Sequence, residues 1–256
     1  MTATVEQYLD RISYSGPTEV SYDTLASLQR HHLTTVPFEN LHVFQRVGVR
    51  TDLDWSLDKV VHQRRGGWCF ELNGAFGWLL EQLGFSVTRL GAAVLLAGPT
   101  KVIDHLTIEV MLDEPWLVDV GFGDSFIRPL RLNDQGEQDG GTGTFQFIPS
   151  PQGTTLSQHE DGVPAARYRF KRTSHELADF DPASHRLQTD PELHWQQAPF
   201  ATRLLAGGPD RVTLLADRLK FRRDGEVDET PVAPEDWAAL ASEWFGLTVP
   251  GDRPPR

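Results

Sequence analysis

The chain reads as an α+β fold, with a helical first third, a β-rich middle, and further strands closed by a last helix. Three observations predict it. Apolar residues recur at helical spacing as far as Gly84, strand-like alternation takes over from Phe85, and 39% of the 256 residues are apolar, enough to bury a sizeable core.

The elements follow in order. Thr4 and Gln7 form a capping box ahead of Val5, Tyr8, Leu9 and Ile12, which line one helical face. A second helix is expected over residues 24–33. A third begins after Ser56, carries Leu57, Val60 and Val61 on one side, and stops against Gly66-Gly67. A fourth runs over 69–83 with Leu72, Phe76, Leu79, Leu80 and Leu83 as its apolar stripe and Gly84 as its stop. Strands are expected at 86–96, 106–112 and 116–122, then at 144–148, 167–171 and 211–221. Four glycines within 136–143 mark an exposed turn or loop. A helix over 234–245 closes the fold, and Pro254-Pro255 mark a frayed tail.

Composition excludes several function classes. A net charge of -12 argues against a phosphate-tracking surface and hence against nucleic acid as a partner. The first ten residues lack a basic-then-apolar leader pattern, and the longest aliphatic run, 92–97, is far too short to cross a bilayer. With one cysteine there can be no internal disulfide and no multi-cysteine metal site. These features fit a protein of the reducing cytoplasm, away from membranes.

That cysteine is the first candidate for chemistry. Cys69 follows Arg65-Gly66-Gly67-Trp68 and opens the fourth helix. A helix N-terminus presents the positive end of the dipole and unpaired N–H groups, an environment that favours thiolate. An inert core thiol is the competing reading of a lone cysteine. The two glycines count against it, because they let the backbone turn sharply and leave the sulfur accessible. His105 could hold the sulfur proton, and Asp119 could orient the imidazole, completing a Cys-His-Asp relay; solvated surface groups are the plain alternative for both.

Strand parity tests the pair. If 106–112 and 116–122 form a hairpin turning at Asp113-Glu114-Pro115, Leu106, Ile108, Val110 and Leu112 match Phe122, Val120, Val118 and Trp116, and His105 and Asp119 share the other face. In that register they lie on the order of 13 Å apart, too far for a hydrogen bond. A turn centred nearer Leu112, a bulge or strong twist would be needed to join them.

These segments resemble those of the arylamine N-acetyltransferases. Arg65-Gly66-Gly67-Trp68-Cys69, His105 before a strand, and Val118-Asp119-Val120-Gly121-Phe122-Gly123 are similar to the family's three catalytic segments, in its order. Pro37-Phe38-Glu39-Asn40-Leu41, Val212-Thr213-Leu214-Leu215 and Trp244-Phe245-Gly246-Leu247 extend the likeness over nearly the whole chain. The departure falls within 181–204, where the family carries Ser-Pro-x-Ser-x-Phe. The nearest match, Thr189-Asp190-Pro191-Glu192-Leu193-His194-Trp195, lacks both serines and has tryptophan for phenylalanine.

The resemblance implies a three-part arrangement: a helical bundle over 1–84 carrying the nucleophile, a β-barrel over 85–190 carrying His105 and Asp119, and an α/β lid over 191–256, with a core like that of cysteine proteases. It implies ping-pong acetyl transfer from acetyl-CoA to an arylamine or arylhydrazine nitrogen, or to the oxygen of an N-hydroxyarylamine, within xenobiotic metabolism and without a metal. Phe38 and Phe122 would line a slot for the arene and Gly123 would admit the pantetheine arm. Arg65 and Glu39 would pair to brace the loop before Cys69. The rivals are an amide synthase releasing a polyketide chain, a cysteine hydrolase of the same core, and an inactive small-molecule-binding module.

Overall fold

The computed structural model describes residues 3–248; the tail expected at Pro254-Pro255 lies outside the described residues. Helices α1 (Val5–Arg11), α2 (Tyr22–Thr35), α3 (Leu41–Phe44), α4 (Leu53–Leu57) and α5 (Cys69–Gln82) fill the first third, with the short strand β1 (Phe38–Glu39) between α2 and α3. The capping box is present: the Thr4 N–H donates to Gln7 at 2.9 Å and the Gln7 N–H to Thr4 at 3.3 Å. The third helix starts earlier than expected, because Asp52 accepts the Trp55 N–H at 3.0 Å and caps α4 before Leu53. It then widens into a π-helical turn over Asp58–His62 that keeps Lys59, Val60 and Val61 on the buried side.

Strands β2 (Ser86–Val94), β3 (His105–Met111), β4 (Pro115–Val118), β5 (Leu130–Arg131), β6 (Gln138–Asp139), β7 (Thr144–Ser150), β8 (Gly153–Glu160) and β9 (Val163–Ser174) make an antiparallel sheet in the order β5-β4-β3-β2-β9-β8-β7-β6. Its two edges are bridged into a nearly closed barrel. Gln138 of β6 accepts the Arg131 N–H at 2.8 Å and donates to the Arg131 carbonyl at 3.0 Å. The glycine-rich stretch 136–143 is therefore not loop throughout, since Gln138 and Asp139 pair with Phe145 and Thr144. The strand expected over 116–122 leaves the ladder at Val118.

Helix α6 (Asp181–Thr189) precedes strands β10 (Ala201–Leu204), β11 (Arg211–Leu214), β12 (Arg218–Arg223) and β13 (Glu226–Pro231), and helix α7 (Trp237–Phe245) follows them. A five-stranded sheet forms in the order β1-β10-β11-β12-β13. The single strand expected over 211–221 is a hairpin: the chain turns after Leu214, and the Leu215 N–H donates to the Arg218 carbonyl at 2.9 Å. The last helix opens with a 3-10 turn at Pro234–Asp236 and is α-helical from Trp237. Strand β1 comes from the first third of the chain yet forms one edge of this sheet, with Phe38 opposite Thr202.

Helix α5 is apolar nearly all round and buried, as a central helix must be. On one side Leu72, Phe76 and Leu80 pack with Tyr8, Leu25 and Leu28 and with the outer face of the barrel, Ile108, Val110 and Val118. The barrel interior has its own core of Leu90, Leu117, Phe145, Phe147, Leu156 and Phe170. With one face against the bundle and the other in the barrel, β3 carries six consecutive buried residues from its first position.

Candidate active site

The site forms where the N-terminus of α5 meets the start of β3. Trp68 is the N-cap, with extended backbone (φ -106°, ψ -173°), so Cys69 is the first helical residue. Glu71, the third residue of the helix, accepts the Trp68 N–H at 3.2 Å and both closes the cap and fixes the preceding loop. Lys59 from the π-turn donates to both Glu71 oxygens at 2.8 and 2.9 Å, and Trp55 Nε1 donates at 2.9 Å. Arg65 donates to Glu39 at 3.0 Å, both side chains being buried, and its Nη1 lies 3.1 Å from His42 Nε2.

The glycines of this loop serve close packing and not, as expected, a sharp turn that exposes sulfur. A Cβ on Gly66 would collide with the Pro37 carbonyl, and one on Gly67 with the Glu71 carboxylate. Cys69 itself is 7% exposed, with Sγ 3.9 Å from the Asp104 carbonyl oxygen.

His105 is the first residue of β3, and Asp119 follows the last residue of β4. The hairpin register differs by two from the simple expectation: Ile108 faces Val118 and Val110 faces Trp116, so the turn lies at Leu112-Asp113-Glu114. Continued by one pair, this register sets Asp119 opposite Thr107, which makes His105 its diagonal neighbour on the same face, within reach of long side chains. The His105 Nε2 to Asp119 Oδ2 distance is 2.7 Å.

Asp119 is surrounded by hydrogen-bond donors. Oδ2 also accepts from Tyr168 Oη of β9 at 3.0 Å, and Oδ1 accepts from Asn73 Nδ2 and the Gly121 N–H, both at 2.9 Å. Asn73 sits one helical turn after Cys69, donates also to the Leu106 carbonyl at 2.6 Å and accepts the Val120 N–H at 2.9 Å. It thus ties α5 to both strands that carry the imidazole and the carboxylate. Asn73 and Tyr168 were not read from the sequence. A polar residue four positions after the cysteine, in an apolar helix, is a signal that could have found Asn73; Tyr168 gives none, because only the closure of the sheet brings it to Asp119.

The charges follow from these contacts. Burial works against a charged His105, but the Asp119 charge and hydrogen bond, then the hydrogen bond and charge of Cys69, outweigh it and push the ring up to about 10. Burial works against a charged Asp119 too; the His105 charge and the bonds from His105, Asn73 and Gly121 overcome it and hold the carboxyl below its ordinary range. Burial, then the Asp119 charge, raises Tyr168 well above the usual phenol, so it remains a neutral donor.

Phe122 stands edge-on to the His105 ring at 5.2 Å. Phe38 packs where a Cβ on Gly123 would touch it, at 3.3 Å, and Gly123 has φ +89°, a conformation that favours glycine. The divergent segment closes over this corner: the Trp195 ring lies 6.1 Å from Phe38 and 5.7 Å from Trp68, and Asn40 donates to the Trp195 and Ala198 carbonyls at 2.9 and 2.8 Å.

A thiol at a helix N-terminus, faced by an imidazole that is held in turn by a saturated carboxylate, is the type of site found in enzymes with a cysteine nucleophile. Comparison with known proteins gives the family. The N-acetyltransferase family profile matches residues 21–253. The chain is 32% identical to a chicken (Gallus gallus) protein named arylamine N-acetyltransferase, pineal gland isozyme NAT-3, over 96% of this chain and 94% of that one. Among solved structures it resembles arylamine N-acetyltransferase from Salmonella typhimurium, with TM-score 0.91 and 26% identity over 96% of this chain and 92% of that one. It also resembles the Mycobacterium marinum arylamine N-acetyltransferase in complex with CoA, with TM-score 0.87 and 28% identity over 95% and 92%. The chain belongs to the arylamine N-acetyltransferase family, whose members are acyltransferase enzymes.

Proposed function

We propose that this protein transfers an acetyl group from acetyl-CoA to the nitrogen of an arylamine or arylhydrazine by a ping-pong route through acetyl-Cys69. The observation that carries the reading is the buried His105–Asp119 pair, 2.7 Å apart, tied by Asn73 to the helix that Cys69 opens, with Asp119 accepting four hydrogen bonds in all. The complex of the M. marinum relative with CoA supports the donor.

The steps follow from the groups present. Cys69, as thiolate beside an imidazolium, attacks the thioester carbonyl; the carbon–sulfur bond to coenzyme A breaks, and the departing thiolate takes the proton held by His105. The amine then attacks acetyl-cysteine, loses its proton to the now neutral His105, and Cys69 leaves as thiolate. Backbone N–H groups near Cys69 and the loop before His105 meet the oxyanion. Asp119 keeps one ring tautomer and stabilises the imidazolium. Phe38 and Phe122 hold the arene, and Gly123 leaves room for the pantetheine arm. In this reading 1–84 supplies the nucleophile, 85–190 the imidazole–carboxylate pair and 191–256 the cover, and a reducing cytoplasm keeps the thiol free.

Intact-mass measurement after incubation with acetyl-CoA tests the proposal. One acetyl adduct, absent in Cys69→Ala and discharged by an arylamine, is expected. Adduct formation followed by rapid loss to water alone would point to a hydrolase, and no adduct at all to a binding module.

A further inference from the structure

The β3–β4 hairpin has two ends: His105 and Asp119 stand at one, and its turn lies about 20 Å away along the strand at the other. Beside that turn a groove of about 960 Å³ runs between the start of α2 and the β5–β6 edge. Its floor is aromatic. The ring of Tyr22, the first residue of α2, lies 4.5 Å from the buried Trp116 ring at a tilt of 43°. Val20, Tyr22 and Met111 are 48%, 36% and 42% exposed, so the groove is shallow and its apolar surface faces water. A small molecule there would stay largely uncovered, whereas an extended chain laid across it would cover several of these side chains at once.

The rim is acidic. Asp113, Glu114, Asp134 and Asp139 line it against one cation, Arg131. Asp139 is held by Arg128, and Asp134 Oδ1 accepts the Gly136 N–H at 2.8 Å. Asp113 is exposed, and its carboxylate has no ion-pair partner among the described residues. In a chain of net charge -12, this face repels a second copy and any anionic surface, and attracts a basic segment.

Arg131 displays the chemistry this face accepts. Its guanidinium carbon lies 5.3 Å from the Trp116 ring centre, and its Nε is 3.3 Å from Glu114. A planar cation thus sits over an indole with a carboxylate at its edge, a pairing in which guanidinium is favoured over ammonium. Tyr22 and Asp113 bring the same two partners, a ring and a carboxylate, to the same groove, the ring half-exposed and the carboxylate unpaired.

We propose that this groove docks an extended, arginine-bearing segment of a partner protein, with a guanidinium between Tyr22 and Asp113 and an apolar neighbour against Val20 and Met111. Docking there leaves the catalytic end of the hairpin untouched. The probe is a library of random linear peptides displayed on phage and selected against the whole protein, with the enriched sequences then synthesised. These are expected to carry arginine beside an apolar residue and to bind wild type with Kd on the order of micromolar. Binding should weaken at least about tenfold in Tyr22→Ser protein and in the double variant Asp113→Asn, Glu114→Gln, and lysine in place of the peptide's arginine should also weaken it. Unchanged melting temperatures separate lost docking from lost fold; if Tyr22→Ser melts early, the double variant alone decides. No enrichment of basic sequences, or binding that the variants leave intact, overturns the proposal. Peptides displaced by acetyl-CoA would lie at Cys69 and overturn it as well. So would arginine methyl ester binding as tightly as any peptide, which makes the groove a small-cation site, or a wild-type dimer that Tyr22→Ser abolishes, which seats a second copy there.

Discussion

Two buried carboxylate clusters flank the first turn of α5, and they differ in what neutralises them. Beneath the loop, Glu39 and Glu71 face the ammonium and guanidinium groups of Lys59 and Arg65. At the barrel end, Asp119 faces an imidazole and otherwise neutral donors from Asn73, Tyr168 and the Gly121 backbone. The first arrangement can only hold; the second has a partner able to take and return a proton. Burial and saturation with hydrogen bonds are common to both, so neither alone identifies a reactive carboxylate.

Removing one charge from each cluster should therefore produce opposite signatures. Asp119→Asn keeps the shape of its site and should cost about three to four orders of magnitude in acetyl transfer, as loss of the orienting carboxylate does in triads, with the protein still folded. Near-normal turnover in this variant would break the contrast. Arg65→Ala should do the reverse. Leaving Glu39 buried without its guanidinium should cost about 3–5 kcal/mol, a fall in melting temperature on the order of 10 °C, while the folded fraction keeps most of its rate per site. Wild-type melting with lost turnover would transfer Arg65 to the catalytic side.

The smallest effect is a difference in pH dependence. His105 is raised from 6.5 to about 10, so its stabilising contribution is fully present below 6.5 and fades as pH rises through about 10. Glu39 is shifted the other way: burial raises it, but the Lys59 and Arg65 charges prevail and lower it, so its contribution is present above 4.5 and is lost only in acid. Between pH 6.5 and 10 the melting temperature of wild type should fall relative to His105→Gln, and should not fall relative to Glu39→Gln. Parallel curves for wild type and His105→Gln would remove the proton-exchanging partner from the comparison.

Much of this was legible in the sequence because it is local. The Thr4 cap, the apolar stripe of α5 and its start at Cys69 depend on neighbours within a turn or two, and each appears where the pattern puts it. Legibility failed where a position is set by a distant partner. Residues 116–122 keep their alternation past Val118, but Asp119 leaves the ladder, held by an asparagine from α5 and a tyrosine from β9. The hairpin register was open by two residues because parity fixes the face and not the offset. The π-turn that delivers Lys59 looks like ordinary helix in its apolar spacing.

The placement of β1 has a consequence for the order in which the protein can be completed. On one side it is stitched to the nucleophile's loop, with the Glu39 N–H donating to the Gly67 carbonyl at 2.9 Å; on the other it pairs with β10. Gly67 and Thr202 are separated by more than half the chain, so the closure that tethers them is among the most entropically demanding contacts in the molecule. As the chain emerges from the ribosome, the helices and barrel can gather early, but the strand beside the thiol waits for an edge that has yet to be synthesised. The reactive corner therefore gains its full support only once β10 has been made.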